Sequence, residues 1–250
     1  MKILVAPTLY IKTTPHFEWL KKSVESLRKS DIKFDLIGFA NYIGGGYMPE
    51  IRSMFDRIIT NDKNILSVSW NKAIQYGIDN GYDYIVVPNM DINVREYTIS
   101  NLVKFAEKEG GVMWSAYCTN RTYDLKPDET FKVQQEGMSN YDSYAFFMVN
   151  SKLFKKVGKF DEHYQAYCED MDLEHRIGLA GETHWCVKEA PFYHAENVTI
   201  NGLREIGEHE SVMETNNGAL CYFLEKWGAY PRQKLFNKPF NRDNLTYKDI

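Results

Sequence analysis

The chain has 250 residues, of which 44% are hydrophobic and 26% are charged. This length suits one large globular domain or two small ones with a sizeable core. Thirty Lys and Arg residues against 34 Asp and Glu residues give a net charge of −4, which argues against a strongly basic protein that coats nucleic acid. No apolar run approaches the roughly 20 residues of a membrane span. The short apolar start predicts a first strand and no signal peptide.

The four cysteines, Cys118, Cys168, Cys186 and Cys221, are scattered and form no C-x-x-C pair. This pattern predicts reduced, mostly buried thiols of a cytoplasmic protein, and neither a disulfide framework nor a zinc site. A phosphate-binding loop is also unsupported, because the sequence contains neither G-x-x-x-x-G-K-[ST] nor G-x-G-x-x-G.

The first half of the chain alternates predicted strands and helices. Short apolar runs predict strands at residues 2–6, 34–40, 58–60, 84–87 and 111–118. Apolar residues at helical spacing predict the intervening helices, with the clearest face formed by Phe17, Leu20, Val24 and Leu27. This β-α-β order predicts an α/β fold with a mostly parallel central sheet.

The second half is less regular. Residues 119–140 are polar and predict a loop, and the tail from Tyr230 is polar and net basic. Apolar patterns predict strands at residues 144–149 and 185–187, and helices at 153–157, 170–179 and 206–227.

Three polar clusters are candidates for chemistry. Asp91 and Asn93 follow the apolar strand 84–87, where α/β proteins bind ligands, and their oxygens suit a hard cation. Glu169, Asp170 and Asp172 open a predicted helix, and His194 follows a predicted turn. Each cluster taken alone also fits a structural role: an Asx turn or cap for the first, helix-dipole compensation for the second, and a buried structural histidine for the third.

The order and framing of these clusters resemble the family-two glycosyltransferases, which bind nucleotide sugars on the GT-A fold. The start of the chain matches the family's opening strand, loop and helix, and "NILSVSWNKAIQYGI" at residues 64–78 resembles its N-x-G-x-x-x-x-N-x-G-I stretch. "YDYIVVPNMDINV" at residues 82–94 resembles the strand that ends in the family's acidic motif. The most specific match is residues 147–176, where G-x-F-D-E and E-D-x-D-L occur at the family's separation.

The resemblance implies roles for the matched residues. Asp91 corresponds to the acid that binds the metal or faces the diphosphate, and His194 to a histidine that completes the metal shell in some members. Asn93 stands where many members have a second acid, and its amide oxygen remains a possible ligand. Asp170 corresponds to the catalytic base of inverting members, with Glu169 beside it orienting or contacting the acceptor. Loops that hold the nucleotide base and ribose are implied to carry Pro7, Thr8, Tyr10, Asn41 and Asn71.

The implied organisation is a single GT-A-like domain. Residues 1–118 would form the donor-binding half, residues 119–205 the acceptor and catalytic half, and residues 206–250 a C-terminal helix and tail. The segment 119–140 and the tail from Arg232 would face the acceptor.

The implied function is transfer of a sugar from a nucleoside-diphosphate sugar to an acceptor hydroxyl. Mn²⁺ or Mg²⁺ would serve as the cofactor, and Asp170 would take the proton with inversion at the anomeric carbon. A retaining mechanism stays open. The acceptor could be a glycan, a lipid-linked saccharide, a protein or a modified nucleic acid. Two alternatives also remain: a non-catalytic nucleotide-sugar or glycan-binding protein on the same fold, and a sugar nucleotidyltransferase.

Overall fold

The computed structural model describes residues 1–120, 130–133, 144–165, 167–230 and 233–249. Most of the segment 119–140, and Arg232 at the start of the basic tail, were predicted to face the acceptor. These parts of the prediction lie outside the described residues.

The described part contains ten strands and eight α-helices. The strands are β1 (Ile3–Val5), β2 (Thr8–Ile11), β3 (Asp35–Ile43), β4 (Arg57–Thr60), β5 (Tyr84–Pro88), β6 (Ile92–Val94), β7 (Met113–Cys118), β8 (Phe131–Lys132), β9 (Phe146–Val149) and β10 (His184–His194). The helices are α1 (Thr14–Arg28), α2 (Met48–Met54), α3 (Leu66–Asp79), α4 (Thr98–Glu109), α5 (Lys152–Lys156), α6 (Glu169–Leu179), α7 (Val198–Glu205) and α8 (His209–Trp227).

One mixed sheet joins both halves of the chain. Its strands run in the order β2-β3-β1-β5-β9-β7-β10-β6, with β4 paired to β3 and β8 to β10. Strands β1 to β5 pair in parallel, whereas β9 lies antiparallel between β5 and β7. Because β10 is parallel to β7, it runs in the same direction as β5. The carboxyl ends of β5 and β10 therefore meet at one edge of the sheet.

Helices cover both faces of this sheet. Alternate residues of β1 show the division, because Ile3 and Val5 join one buried cluster and Leu4 joins the other. The first cluster includes the apolar faces of α1 and α4, and the second those of α3, α5 and α6. A third, smaller cluster packs α8 against the chain before α6. No helix in the described ranges is both long enough and apolar enough to cross a membrane.

The predicted α/β class with a mostly parallel sheet is confirmed, and most predicted elements lie within a few residues of the observed ones. Five elements were not predicted as such: β2, α2, β6, α7 and β8, the last of which lies within the segment 119–140 that was predicted to be a loop. Strand β10 is also much longer than the three residues predicted, and it extends to His194.

Close packing of α3 on β5 leaves no room for a side chain at Gly77. A Cβ atom there would lie 2.2 Å from Ile85 Cγ1. We expect Gly77→Ala to lower the free energy of unfolding by about 1–3 kcal/mol, because overpacking outweighs the gain in helix propensity. Urea denaturation measures this change.

The matched control is Gly218→Ala on α8, where a Cβ atom would meet nothing within 4 Å. We expect it to raise the free energy of unfolding by up to about 1 kcal/mol, since alanine favours a helix. Equal effects of the two substitutions would contradict the tight α3–β5 contact.

Candidate active site

A cavity of about 630 Å³ opens at the edge where the carboxyl ends of β3, β5 and β10 meet. Ligands of open α/β sheets bind at this edge. The cavity brings together six of the residues singled out in the sequence: Thr8, Tyr10, Asn41, Asp91, Glu169 and His194. Helix α7 lines one side of the cavity and contributes apolar side chains, including Ile200 and Leu203.

Asp91 and His194 form a pair in the wall of this cavity. Asp91 follows β5, His194 ends β10, and the two side chains are nearly buried. His194 Nε2 lies 3.2 Å from Asp91 Oδ1. The backbone holds the pair together as well, because the N–H of Ala195 donates to the carbonyl of Asp91 at 2.8 Å. These contacts hold the segment after β5 beside the end of β10.

This pair fits a divalent cation that keeps open positions for a ligand. Two adjacent ligands of an octahedral ion at about 2.1 Å lie about 3.0 Å apart, close to the observed separation. Within the described ranges no group of three His, Cys, Asp or Glu side chains could hold a metal. A site built on Asp91 and His194 would supply two ligands, as is usual when substrate phosphates and water complete the shell.

Polar groups on β2 and β3 line another part of the cavity. Asn41 Oδ1 accepts hydrogen bonds from Asn61 Nδ2 and from Ser69 Oγ. These bonds fix the amide of Asn41 so that its nitrogen is left to donate. Thr8 Oγ1 is buried with no hydrogen-bond partner within the described ranges. An unpaired buried hydroxyl at a cavity wall can be satisfied by a bound ligand.

Glu169 is the first residue of α6 and the most unusual acid of the cavity. Its side chain is buried, and Oε2 has no hydrogen-bond partner among the residues described. Burial, together with the nearby charges of Asp170 and Asp172, raises the pKa of Glu169 to about 8. At neutral pH this carboxyl therefore holds its proton much of the time.

Asp170 occupies a different environment from Glu169. Its side chain is half-exposed, Oδ1 accepts from the backbone N–H of Met171 at 2.8 Å, and it is not among the residues that line the cavity. The difference arises because adjacent residues of a helix point in different directions. The resemblance implied that Asp170 is the base, yet Glu169 is the acid that lines the cavity.

Besides Asp170, three other predicted site residues do not reach the cavity. Pro7 is buried shortly after β1. Its carbonyl accepts from the N–H of Phe39, and this hydrogen bond links the segment after β1 to β3. Asn93 is exposed on strand β6, whose alternation buries Ile92 and Val94 instead. The structure therefore does not bring Asn93 to Asp91 as a second metal ligand.

Asn71 is the third of these residues, and it holds the loop before α6. Its Nδ2 donates to the carbonyl of Phe160 at 2.9 Å, and its Oδ1 accepts from the Phe160 N–H at 2.8 Å. The prediction of loop positions was wrong for Thr8, Tyr10, Asn41 and Asn71. The first three lie in paired parallel strands, and Asn71 lies inside α3.

Several residues that shape the site were not predicted from the sequence. Asn89 Nδ2 lies 3.4 Å from His194 Nε2, and Tyr167, Glu196 and the first turn of α7 line the cavity. Lys226, on α8, is fully buried and bridges Asp161 at 2.6 Å and Asp172 at 2.8 Å. The only available sequence signal for Lys226 was its place in an otherwise apolar helix face.

No protein-family model matches the sequence, and no curated protein sequence matches it. Solved structures do match. The crystal structure of S. aureus TarS has a TM-score of 0.61 at 12% identity, over 82% of this chain and 39% of that chain. TarS residues 1–349 in complex with UDP-GlcNAc has a TM-score of 0.59 at 13% identity, over 84% of this chain and 66% of that chain.

GalNAc-T7 with UDP, GalNAc and Mn²⁺ has a TM-score of 0.60 at 11% identity, over 77% of this chain and 43% of that chain. The present chain thus spans between 39% and 66% of the lengths of the chains in these three structures. At such low identity the similarity concerns the fold. The chain has the GT-A-like fold of these glycosyltransferases.

The raised pKa of Glu169 has a consequence for stability. The folded protein binds a proton at Glu169 up to about pH 8, whereas an ordinary exposed glutamate releases it near pH 4.5. The folded state therefore holds more protons than the unfolded state between these values, so stability must fall as pH rises through them. We expect Glu169→Gln to remove this loss, so that its stability advantage over the parent grows from pH 5 to pH 8.

Urea denaturation at several pH values measures this trend. Glu107→Gln on α4 is the matched control, because that carboxyl is exposed and far from the acidic cluster. A pH-independent difference between the parent and Glu169→Gln would contradict the assigned pKa.

Proposed function

We propose that this chain is a glycosyltransferase that moves a sugar from a UDP-sugar to an acceptor hydroxyl. The observation that carries the proposal is the meeting of the Asp91–His194 pair with the Glu169 carboxyl on one cavity of a GT-A-like sheet. The pair suits a cation and a diphosphate, and the carboxyl suits a proton. These are the two requirements of glycosyl transfer from a nucleotide sugar.

The UDP assignment is supported by the similar structures and by the cavity itself. TarS residues 1–349 was crystallised with UDP and with UDP-GlcNAc, and GalNAc-T7 with UDP and Mn²⁺. In this chain the Asn41 amide and the Thr8 hydroxyl offer hydrogen bonds at the β2–β3 side of the cavity. Tyr10 adds a ring face beside them, with its centroid 5.9 Å from that of Tyr42. We assign the nucleoside to this side.

The diphosphate belongs beside Asp91 and His194. A divalent cation bound there, Mn²⁺ or Mg²⁺, would neutralise charge that develops on the leaving diphosphate. Asp91 supplies a negatively charged oxygen and His194 a neutral nitrogen, so the protein leaves most of the cation's charge for the phosphates. Asn89, 3.4 Å from His194 Nε2, restricts the orientation of that ring.

Glu169 is the acid that we assign as the general base. It lines the cavity, its Oε2 is unpaired within the described ranges, and its pKa of about 8 lies close to working pH. A base whose pKa is near ambient pH combines availability with driving force. Glu169 would take the acceptor proton as the hydroxyl attacks the anomeric carbon, with inversion when attack is in line. Asp170 would act as a positioning residue whose charge keeps the pKa of Glu169 high.

The donor assignment is tested by thermal denaturation with UDP, GDP, dTDP and CDP, each with and without Mn²⁺. We expect UDP with Mn²⁺ to stabilise the protein by about 2.7 kcal/mol at 100 times its Kd. Asp91→Ala should remove the part of the UDP stabilisation that depends on Mn²⁺, because His194 alone would remain to bind the cation.

Asn93→Ala is the matched control, since Asn93 comes from the same sequence motif but is exposed outside the cavity. It should retain the full response. If no nucleotide stabilises the parent chain, the assignment to UDP-sugar transfer is wrong. If Asn93→Ala loses the stabilisation by UDP and Mn²⁺ while Asp91→Ala retains it, Asn93 and not Asp91 is the metal ligand.

The base assignment predicts different losses for the two neighbouring acids. Glu169→Gln should retain UDP binding and lower UDP-sugar turnover by on the order of 10²–10⁴-fold, the usual effect of losing a general base. Asp170→Asn should have a smaller effect and should shift the alkaline-rising limb of the pH–rate profile to lower pH, because the pKa of Glu169 falls when a negative neighbour is lost. A larger loss in Asp170→Asn would return the base role to Asp170.

A further inference from the structure

A second cavity of about 530 Å³ adjoins the candidate active site. It lies between α3 and the loop that leads to α6. The residues of its wall that matter here are Ile65, Asn71, Lys159, Glu162, His163 and Gln165. Gln165 also lines the first cavity, so the two spaces meet at this side chain.

The wall of the second cavity is held rigidly. Asn71 fixes Phe160 through two hydrogen bonds, and Ser67 Oγ donates to the carbonyl of Tyr164 at 2.8 Å. Asp161 is nearly buried and is held by Lys226 at 2.6 Å. These wall residues are therefore already held in place before a ligand binds, and this lowers the entropic cost of binding.

The exposed groups of the wall both donate and accept hydrogen bonds. Among the described residues, the side chain of Gln165 has no hydrogen-bond partner. The ammonium of Lys159 has no ion-pair partner among them either. Glu162 Oε1 accepts from Asn71 Nδ2 at 3.0 Å and keeps further acceptor capacity. The imidazole of His163 stacks on Tyr222 at 4.9 Å, and its side chain is 72% exposed. One flat ring face is therefore open to solvent.

The charges of this wall balance. The wall carries one positive charge at Lys159 and one negative charge at Glu162, and the buried Lys226 pairs with Asp161. An anionic ligand would meet the carboxylate of Glu162 beside the ammonium of Lys159. A neutral molecule with many hydroxyl groups matches the mixture of donors, acceptors and one flat ring face.

We propose that the second cavity binds the non-reacting units of a neutral saccharide acceptor. This inference rests on the proposed function, because it assumes that the acceptor hydroxyl reacts beside Glu169 in the first cavity. Gln165 marks the passage, so the acceptor would extend from Glu169 past Gln165 toward Lys159 and His163. The acceptor class is thereby narrowed to glycans with at least two linked sugars.

The test uses ligand-observed NMR on the full chain with three neutral probes: chitotriose, cellotriose and maltotriose. Each is added up to about 10 mM, a concentration at which a complex with a Kd of ~1 mM is largely formed. We expect at least one probe to bind, and to remain bound when UDP and Mn²⁺ are added, because the two adjoining cavities have different wall residues apart from Gln165. Lys159→Ala combined with Gln165→Ala should weaken that binding at least about tenfold.

Lys104→Ala, an exposed lysine on α4, is the matched control and should leave binding unchanged. The proposal is overturned if no neutral probe binds, if UDP displaces the probe, or if the double variant binds as the parent does. Preferential binding of a sulfated trisaccharide would also overturn it in favour of an anionic acceptor. If a saccharide binds but UDP does not stabilise the protein, the proposed function is wrong and the saccharide site is supported.

Discussion

One buried lysine holds the acidic part of the candidate site in place. The ammonium of Lys226 is inaccessible to solvent and contacts the carboxylates of Asp161 and Asp172. Asp172 also pairs with Arg176 at 2.7 Å and accepts from the indole of Trp227 at 2.8 Å. Removing one member of such a buried network leaves an uncompensated charge, which typically costs about 3–5 kcal/mol.

This network explains why neighbouring acids of one motif behave differently. Burial alone would raise the pKa of Asp172, but Arg176 and Lys226 outweigh it and hold that pKa below its usual range. Glu169 is buried without a cation, so its pKa moves upward instead. Environments that separate the pKa values of two acids in this way assign them different roles. Asp172 anchors α6 to α8, and Glu169 is left free to exchange a proton.

The sequence was sufficient to predict the α/β class and to place Asp91 after a strand, whereas it placed His194 after a turn and not at the end of β10. Asp91 follows β5 and His194 ends β10, and these two strands run in the same direction, so the sheet brings the two residues together. Asn93 shows the limit of this reasoning. Its spacing from Asp91 suggested a shared cation, but pairing of β6 with β10 turns Asn93 to solvent. Long-range pairing of this kind leaves no local signal in the sequence.

Buried polar anchors could not be predicted for a related reason. Asn71 and Lys226 both lie in helices, where either residue type normally faces water. Each is buried because its partner lies far along the chain: Phe160 for Asn71, and Asp161 for Lys226. The resemblance placed Asn71 in the nucleotide site, whereas its hydrogen bonds are used by the loop before α6.

The backbone beside the cavity is strained on both sides, and this points to function. Tyr167 and Cys168 have φ near +67° immediately before Glu169, and Glu196 and Asn197 have φ near +56° shortly after His194. Left-handed conformations of such residues cost about 1–3 kcal/mol each and persist only where the surroundings impose them. The surroundings here are the Lys226 network on one side and the Asp91–Ala195 backbone bond on the other. The fold thus accepts strain at the two points that deliver an acid and a histidine to one cavity.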